Sequence, residues 1–417
     1  MNKFLRHAAG LLFLWAYATH ASAQYPEQWD LISSINEALL QAPHLRAAVA
    51  EINARQSQLN EADNWPNPRV IVAVDDTVSL EQGNDGYAFS KLDLIQPIPF
   101  GRLGAETRQA QSQLTAAQSR QRFNFLEIEK ITANVFYSLQ YHTDLLALAK
   151  QRHDSLKQLL KPGKDPLVRY ITKTERKRLI ILREAAHQSM AAAEGEYQEA
   201  LSQFRALLAL PQNYVPSVKL LQPVPQPQRL DVLLDSQAEH PLLASLNEST
   251  TAAEAGIDVA KSKRRVDPEL LFFSTRDVYA GRVQVSTGVA VMVEVPLWNS
   301  NDRKVAQARA EFYRKQSELK TNRRDLNNRL RKSNLHLAHI IEQAKHYREH
   351  IQVPAREILD LSSLGFKSGE INLLSFIDAH NTYYGAQAKY LMLIYQAWLE
   401  KAEVRYSSGQ MLTEKTP

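Results

Sequence analysis

The 417-residue sequence contains no cysteine. Disulfides, thiolate metal sites, cysteine nucleophiles and a lipid carried on an N-terminal cysteine are therefore excluded. The sequence also lacks the Gly-Lys-Ser/Thr loop that cradles phosphates, the Gly-x-Ser-x-Gly nucleophile elbow and the His-Glu-x-x-His pattern of zinc hydrolases. These absences argue against an enzyme and indicate no cofactor.

Long apolar runs are also missing, except near the N-terminus. Lys3 and Arg6 precede an apolar stretch at 8–17, and Ala21-Ser22-Ala23 has the small-x-small form of a secretory cleavage site. We therefore predict a signal peptide at 1–23. No later run approaches the roughly 18 apolar residues of a spanning helix, so any passage through a membrane would have to use strands.

The charge balance is only mildly basic, at +5. A basic chain can bind nucleic acid, but here the acidic residues are interspersed with the basic ones and the chain carries an export signal. We therefore expect no nucleic-acid partner.

Two stretches, about 198 residues apart, repeat one order of elements: a helical pattern, two strands and a long heptad helix. Prolines fall at matching places in the two copies, which are Pro43, Pro68 and Pro99 in the first and Pro241, Pro268 and Pro296 in the second. We assign 24–210 and 230–406 to the two repeats, 211–229 to a proline-rich extended connector, and 407–417 to a tail.

Each repeat contains a heptad seam, in which inward positions follow at alternating steps of three and four. The first seam runs from Phe125 to Leu160. The second is predicted at Leu326, Leu330, Ser333, Leu337, Ile340, Ala344, Tyr347, Ile351, Pro354, Ile358 and Leu361.

These seams predict two long helical hairpins. A helix from Gly104 to Leu160 would be about 85 Å long at 1.5 Å per residue. Shorter helices are expected at 167–208 and 373–406, each joined to its long partner through a glycine-containing turn. Pro354 lies inside the second long helix and predicts a kink or local break there.

Strands are predicted ahead of each long helix. Residues 283–295 place valines at alternate positions on one face, and they are long enough to cross a bilayer at a tilt. Their predicted partner is 268–280, and the first repeat offers 68–80 and 87–95. One such hairpin could equally be half-buried in a soluble domain, but four strands in matched pairs of an exported chain favour a transmembrane role.

Several of these segments together resemble the outer-membrane efflux protein (TolC-like) family, over essentially all of the mature chain. The most specific stretch is 365–387, with Gly365-Phe366-Lys367-Ser368-Gly369 followed by Ile377-Asp378-Ala379. A second is the strand end Val293-Glu294-Val295-Pro296-Leu297, with Pro97-Ile98-Pro99 as its counterpart.

The resemblance implies a mainly α-helical homotrimer in which each chain gives four strands to a 12-stranded transmembrane β-barrel, continued by a long coiled-coil tunnel through the periplasm. Strand number agrees with this, because four strands cannot close alone and eight would enclose a filled interior, whereas twelve leave room for a pore.

The resemblance also implies a constriction near the hairpin tips, where acidic side chains three residues apart form rings around the axis. These positions correspond to Ser375 and Asp378, so one acid of the pair is present. Three copies of Asp378 would favour cations in a narrow lumen. The alternative is that Asp378 is a solvated helix residue.

The hairpin tips are the implied contact with a periplasmic membrane-fusion adaptor. Gly365, Phe366 and Gly369 match the second tip, whereas Gly163 and Lys164 match the first poorly. Glycine can equally mark only a turn, and the lysines near the first tip can equally form a solvated face.

Four histidines, His336, His339, His346 and His350, lie near one face of the second long helix. Such imidazoles could bind Zn, Cu or Ni weakly, or simply be solvated or interhelical. His142 and His153 interrupt the first seam, where we interpret them as register-fixing polar residues.

The function implied by the resemblance is an outer-membrane exit duct that passively conducts metal cations or small toxic compounds from an adaptor and an inner-membrane pump of the resistance-nodulation-division type. One alternative is the duct of a type I protein-secretion system. Another is a periplasmic coiled-coil adaptor or scaffold, which would have no reason to carry transmembrane strands.

Overall fold

Two long helical rods and one four-stranded sheet organise the chain. The computed structural model describes residues 25–75, 89–99, 101–160, 172–265, 267–279, 282–294 and 301–413. The predicted signal peptide, the first hairpin tip with Gly163 and Lys164, and Pro296 lie outside the described residues. Of the described helices, none has a stretch both long enough and apolar enough to cross a membrane.

The elements follow the same order in both halves: a pair of helices, a pair of strands, a long rod and a returning helix. In the first half they are α1 (Leu31–Gln41), α2 (Pro43–Ala62), β1 (Arg69–Asp75), β2 (Phe89–Pro97), α3 (Leu103–Leu159) and α4 (Lys173–Leu207). In the second half they are α5 (Leu230–Ala238), α6 (Pro241–Ser262), β3 (Glu269–Tyr279), β4 (Arg282–Met292), α7 (Asp302–Tyr347), a π-helical turn (Arg348–Gln352), α8 (Val353–Ser368) and α9 (Leu373–Ser408).

The first rod is the unbroken helix α3, within one residue of its predicted bounds. Its 57 residues span about 85 Å. Leu139 and Leu156 of the predicted seam are fully buried, at 1% and 0% exposure. The returning helix α4 begins at Lys173, where Thr172 and Glu175 form a reciprocal capping box. Residues 167–171 of its predicted range lie outside the described residues.

The second rod is interrupted where Pro354 predicts a break. Proline has no amide hydrogen and its ring clashes with the carbonyl four residues earlier, so a regular α-helix cannot continue through His350. The chain responds with the π-helical turn, in which the Val353 amide donates to the carbonyl of Arg348, five residues back. Helix α8 then starts with proline in its first turn.

The π-helical turn makes the lower part of the predicted second seam wrong. Ala344 is fully buried as predicted, but Ile358 and Leu361 are 49% and 69% exposed. The inward positions move on by one residue because the wider turn contains one residue more than an α-helical turn. Between the π-helical turn and the hairpin tip, the inward positions are Gln352, Ala355, Leu359, Ser362 and Phe366.

The strands form one antiparallel sheet in the order β1-β2-β3-β4. The central pair joins the two halves of the chain, with Leu94 opposite Phe272. The predicted strands are therefore confirmed, although the ends of the first hairpin, at 76–88, lie outside the described residues.

Helices pack side by side at two levels along the rods, one near the sheet and one toward the hairpin tips. Near the sheet the order of contact is α2, α3, α6 and α7, and toward the hairpin tips it is α4, α3, α9 and then α7 with α8. The largest buried cluster joins α3, α4 and α9 to the N-terminal segment, where Trp29 is 1% exposed and its indole Nε1 donates to the Tyr214 hydroxyl at 2.9 Å.

The segment between the halves contains no helix or strand beyond a single bridge from Trp29 to Val218. It is held against α3, where the Leu221 amide donates to Asp144 at 2.9 Å and the Gln140 side chain donates to the Lys219 carbonyl at 2.8 Å. This agrees with the extended connector predicted from its prolines.

The C-terminal segment also binds α3. Helix α9 runs to Ser408, two residues beyond its predicted end, and Gly409 ends it in a left-handed conformation. Glu129, 4% exposed, then accepts hydrogen bonds from the amides of Leu412 and Thr413 at 2.8 and 3.0 Å. The described part of the predicted tail is thus an ordered strap.

Candidate functional site

The sheet presents two chemically different faces. On one face apolar side chains stand opposite each other across the strands, as in the row Val70, Leu94, Phe272 and Val289. These residues are 41–63% exposed. The alternating valines of β4 belong to the same face, at 56–66% exposure. A face this apolar and this exposed indicates contact with lipid or protein.

The opposite face is mixed: it carries paired charges beside apolar residues such as Ile95 and Phe273. Arg69 of β1 makes two hydrogen bonds of 2.6 Å to the carboxylate of Glu269 on β3. Lys91 lies 2.7 Å from Asp93 on β2, and Asp93 is 3% exposed. The paired charges therefore lie on the side of the sheet away from the exposed valines, which fits a sheet with lipid on one side and a more polar space on the other.

The second hairpin tip is built around a glycine cap. Helix α8 extends to Ser368, so Gly365 and Phe366 belong to its last turn, not to the predicted turn itself. Gly369 has φ +79°, and the Gly365 carbonyl accepts from the amides of Glu370 and Ile371 at 2.8 and 3.2 Å.

Phe366 faces inward at this tip. Its ring stacks on Phe376 of α9, with centroids 5.1 Å apart and planes 22° from parallel. The exposed part of the tip is instead formed by the charged neighbours Lys367 and Glu370. This geometry fixes the tip as a rigid turn between α8 and α9.

Ser375 and Asp378 both lie on exposed positions of α9 but differ in their contacts. The Asn372 side chain caps the helix by accepting from the Ser375 amide at 2.9 Å and from its hydroxyl at 3.1 Å. Asp378 lies one turn further on and makes no ion pair with the residues that the structure describes. Asp378 therefore presents a carboxylate that has no ion-pair partner among the described residues.

Behind Asp378, α9 is joined to the first rod by polar contacts that the sequence analysis did not identify. Arg152 donates to the Asn381 side chain at 2.8 Å, and Ser155 Oγ lies 3.0 Å from His380 Nε2. His380 is 2% exposed. Its burial, helped by Arg152, lowers its pKa to about 4, so the ring is neutral at physiological pH.

The four predicted histidines of the second rod do not form one site. His336 Nδ1 lies 2.8 Å from Glu400 of α9, whereas His346 and His350 stack on each other, with ring centroids 4.3 Å apart. Within the described ranges, no group of three or more His, Asp or Glu residues could hold a metal ion.

The histidines of the first rod face α4. His142 Nδ1 lies 3.4 Å from Glu196, and the His153 ring is 5.6 Å from that of His187. These contacts cross between the two helices of the first hairpin, where a register-fixing role was predicted. That role stays a prediction.

Comparison with known proteins gives a consistent result. A family model described as "Outer membrane efflux protein" matches residues 34–163 and 233–410. The cobalt-zinc-cadmium resistance protein CzcC of Cupriavidus metallidurans is 22% identical over 363 residues, which cover 85% of this chain and 84% of CzcC.

Solved structures show the same fold. CusC, described in connection with transmembrane channel formation, superposes with a TM-score of 0.71 at 15% identity, covering 94% of this chain and 95% of its own. The outer membrane protein VceC of Vibrio cholerae gives a TM-score of 0.71 at 14% identity, covering 91% and 96%. The chain belongs to the outer membrane efflux protein family, and it is therefore an outer-membrane protein that extends into the periplasm.

Proposed function

We propose that this member of the outer membrane efflux protein family is the passive exit duct of a tripartite efflux system, assembled from three copies of the chain. The observation that carries the proposal is the sheet, which exposes an apolar row on one face, carries paired charges on the other, and is continued by the long helices. The family is one of channels rather than enzymes, so the chain supplies a path and the energy comes from an inner-membrane pump.

Ring closure is supported by the unpaired edges of the sheet. Among the described strands, β1 pairs only with β2 and β4 only with β3. Free backbone donors and acceptors cannot be left facing lipid, so each edge requires another strand. Joining β4 of one copy to β1 of the next satisfies both edges, and three copies make a 12-stranded barrel wide enough for a pore.

The helical layer has matching free edges. Among the described helices, α4 makes its main helix contact toward the tips with α3, and α8 makes its main one with α9. These edge helices carry exposed apolar residues, Ile181 at 68% and Leu361 at 69%. The two lie at a similar height, because their neighbours Leu179 and Leu359 share one buried cluster. The proposed ring covers both residues.

Disulfide crosslinking tests this assembly, and the cysteine-free sequence provides a clean background. We expect Ile181→Cys combined with Leu361→Cys to give covalent trimers in outer-membrane fractions after oxidation. The matched control combines Ile181→Cys with Tyr313→Cys, since Tyr313 is also exposed but lies in the part of α7 nearer the sheet. A water-soluble monomer, or crosslinking no better than in the control, would refute the ring.

We propose that Asp378 forms the constriction. Three copies around the axis would bring three carboxylates together in the lumen, while Ser375 remains engaged with Asn372. Like charges at close range favour cations and resist full closure.

Single-pore recording tests the constriction. Asp378→Asn is expected to lower cation selectivity and to change conductance, whereas Asp360→Asn, the same charge change at an exposed position of α8, is expected to leave both unchanged. Identical currents for the wild type and Asp378→Asn would exclude the ring.

We propose that the hairpin tips receive a periplasmic membrane-fusion adaptor. The rigid cap at Gly369 would present Lys367 and Glu370, and Gly163 and Lys164 would belong to the corresponding first tip. Photocrosslinking from position 370 tests this. Capture of an adaptor is expected from there but not from exposed position 343 higher on the rod.

Divalent metal cations are the cargo that we propose. Similarity to CzcC, named for cobalt, zinc and cadmium resistance, supports this, and a cation-favouring ring agrees with it. Deletion of the protein is expected to increase sensitivity to these metals but not to dyes or detergents. Sensitivity to dyes alone would instead identify small toxic compounds, and loss of a secreted protein would identify type I secretion.

A further inference from the structure

Two imidazole rings stand together on the outside of the second rod. His346, in the last turn of α7, and His350, in the π-helical turn, have ring centroids 4.3 Å apart and planes 15° from parallel. Both side chains are exposed. The other two histidines of this rod, His336 and His339, do not belong to the pair, since they lie ten and seven residues, or about 15 and 10 Å, from His346 along the axis.

The break at Pro354 explains why these rings overlap so closely. In a regular α-helix, residues four apart are displaced by about 40° around the axis. A π-helical turn needs more residues for one revolution and so turns less per residue. Across the junction, positions 346 and 350 therefore come closer to lying directly above one another than they would in an uninterrupted helix.

The second ring has a defined tautomer in its neutral form. His350 Nδ1 lies 3.1 Å from the backbone carbonyl oxygen of His346. A carbonyl only accepts, so Nδ1 must carry the hydrogen and Nε2 must carry the lone pair. A backbone partner on one ring nitrogen is the usual way in which a protein prepares the other nitrogen for a metal.

We propose that His346 and His350 form a two-ligand surface site for a divalent transition metal, with Cu²⁺ bound more tightly than Ni²⁺ or Zn²⁺. Imidazole suits all three ions, and Cu²⁺ leads the usual affinity order. Only a rotation of the His346 ring about χ2, a broad torsion for histidine, is needed to tilt it toward an ion held by His350, whose own ring keeps its contact with the His346 carbonyl. Water supplies the remaining ligands. The site does not depend on what the duct transports.

Equilibrium dialysis of the mature, untagged protein in detergent against CuCl₂ tests this assignment. The test variant is His346→Gln with His350→Gln, and the matched control is His336→Gln with His339→Gln on the same rod. The wild type and the control are expected to bind one more Cu²⁺ per chain than the test variant. A single His350→Gln variant is expected to weaken that site about tenfold or more, because two linked donors bind far better than one.

Electron paramagnetic resonance of the Cu²⁺ complex provides a readout that does not depend on stoichiometry. Two equatorial nitrogen ligands at the site, reduced to one in His350→Gln, would support the pair. Equal Cu²⁺ binding by the wild type and the double variant His346→Gln/His350→Gln would overturn it, as would a loss confined to the control. Because none of these measurements involves transport, failure here leaves the proposed duct untouched, and failure of the duct leaves the site untouched.

Discussion

The two rods share one heptad pattern, but the first is a continuous helix and the second is interrupted. The first is one helix of 57 residues whose seam stays in register to its end. The second keeps its seam through Ala344 and then crosses the π-helical turn, below which every inward position is displaced by one residue. A single proline, Pro354, separates the two outcomes.

The displacement has consequences at the tip. With it, Gln352 faces α9 and donates to the Gln387 side chain at 2.7 Å, and Phe366 reaches Phe376. Without it, Ile358 and Leu361 would be buried instead of lying on the free edge of the helical layer. The break thus converts a self-contained coiled coil into a rod with one apolar edge available to a neighbour.

The largest effect is expected where the two rods are still alike. Leu139 of the first rod and Leu337 of the second are 1% and 0% exposed at seam positions. Replacing either with alanine is expected to lower the free energy of unfolding by about 2–5 kcal/mol, because it removes buried contacts and leaves a cavity.

Guanidinium unfolding in detergent, followed by far-ultraviolet circular dichroism, measures this effect. Gln343→Ala, at an exposed position of α7, is the control and is expected to change stability by less than about 0.5 kcal/mol. If Leu337→Ala resembled that control while Leu139→Ala did not, the upper seams of the two rods would not be equivalent.

The next prediction addresses the break itself. Deleting Ile351 removes one residue from the turn and would place Gln352, Ala355 and Leu359 in a continuous heptad with Ala344. Deletion alone should cost about 3 kcal/mol, because it forces proline into a regular helix interior. Adding Pro354→Ala should restore most of this loss.

This recovery is a test of register, read from the same unfolding measurement. The control is Pro354→Ala without deletion, in which the packing above and below still requires the extra residue. Equal stability of the deletion with and without Pro354→Ala would show that proline is not the cause of the turn.

The long elements were predictable from the sequence because their signals extend over many residues. The seam of α3 repeats over five heptads, or about ten helical turns, and the valines of β4 alternate over most of the strand, so both patterns remain recognisable despite local irregularities. The break at Pro354 was also predictable, since no tertiary contact can restore a missing amide hydrogen.

The consequences of that break were not predictable. A proline can kink, end or widen a helix, and only the packing of Ala355 and Phe366 against α9 selects widening. The contact of His380 with Ser155 likewise joins residues 225 positions apart, and no local pattern indicates it. Its only signal was a polar residue within the apolar spacing of Phe376 and Tyr384.

His380 also distinguishes how the two rods hold α9. On the side of the second rod, Phe376 of α9 stacks on Phe366. On the side of the first rod, α9 presents His380, a buried neutral imidazole with a pKa of about 4. In the unfolded chain His380 takes up a proton near pH 6.5, whereas in the folded protein it does so only near pH 4. The free energy of unfolding should therefore fall as the pH drops from about 6.5 to about 4. The total loss should be up to about 3 kcal/mol.

Thermal midpoints at about pH 7 and about pH 4.5 would reveal this dependence. His380→Gln should flatten it, whereas His336→Gln, at an exposed ring, should not. Some slope should persist in both variants because burial also lowers the pKa of His240. A slope unchanged in His380→Gln would mean that α9 is not held to the first rod by a neutral histidine.

The smallest expected effect separates the two glycines of the second tip. Gly369 has φ +79°, a conformation in which a side chain is strained, so Gly369→Ala should destabilise the hairpin by about 1 kcal/mol. Gly365 is helical, and an added Cβ would meet Ile371 at 3.4 Å, an ordinary contact. Gly365→Ala should therefore be neutral or stabilising by about 0.5 kcal/mol, because alanine favours the helix.

Hydrogen exchange of the Glu370 and Ile371 amides, which both bond to the Gly365 carbonyl, would report on this tip directly. Faster exchange in Gly369→Ala and unchanged exchange in Gly365→Ala are expected. Equal effects of the two substitutions on exchange would show that the cap does not depend on the left-handed glycine.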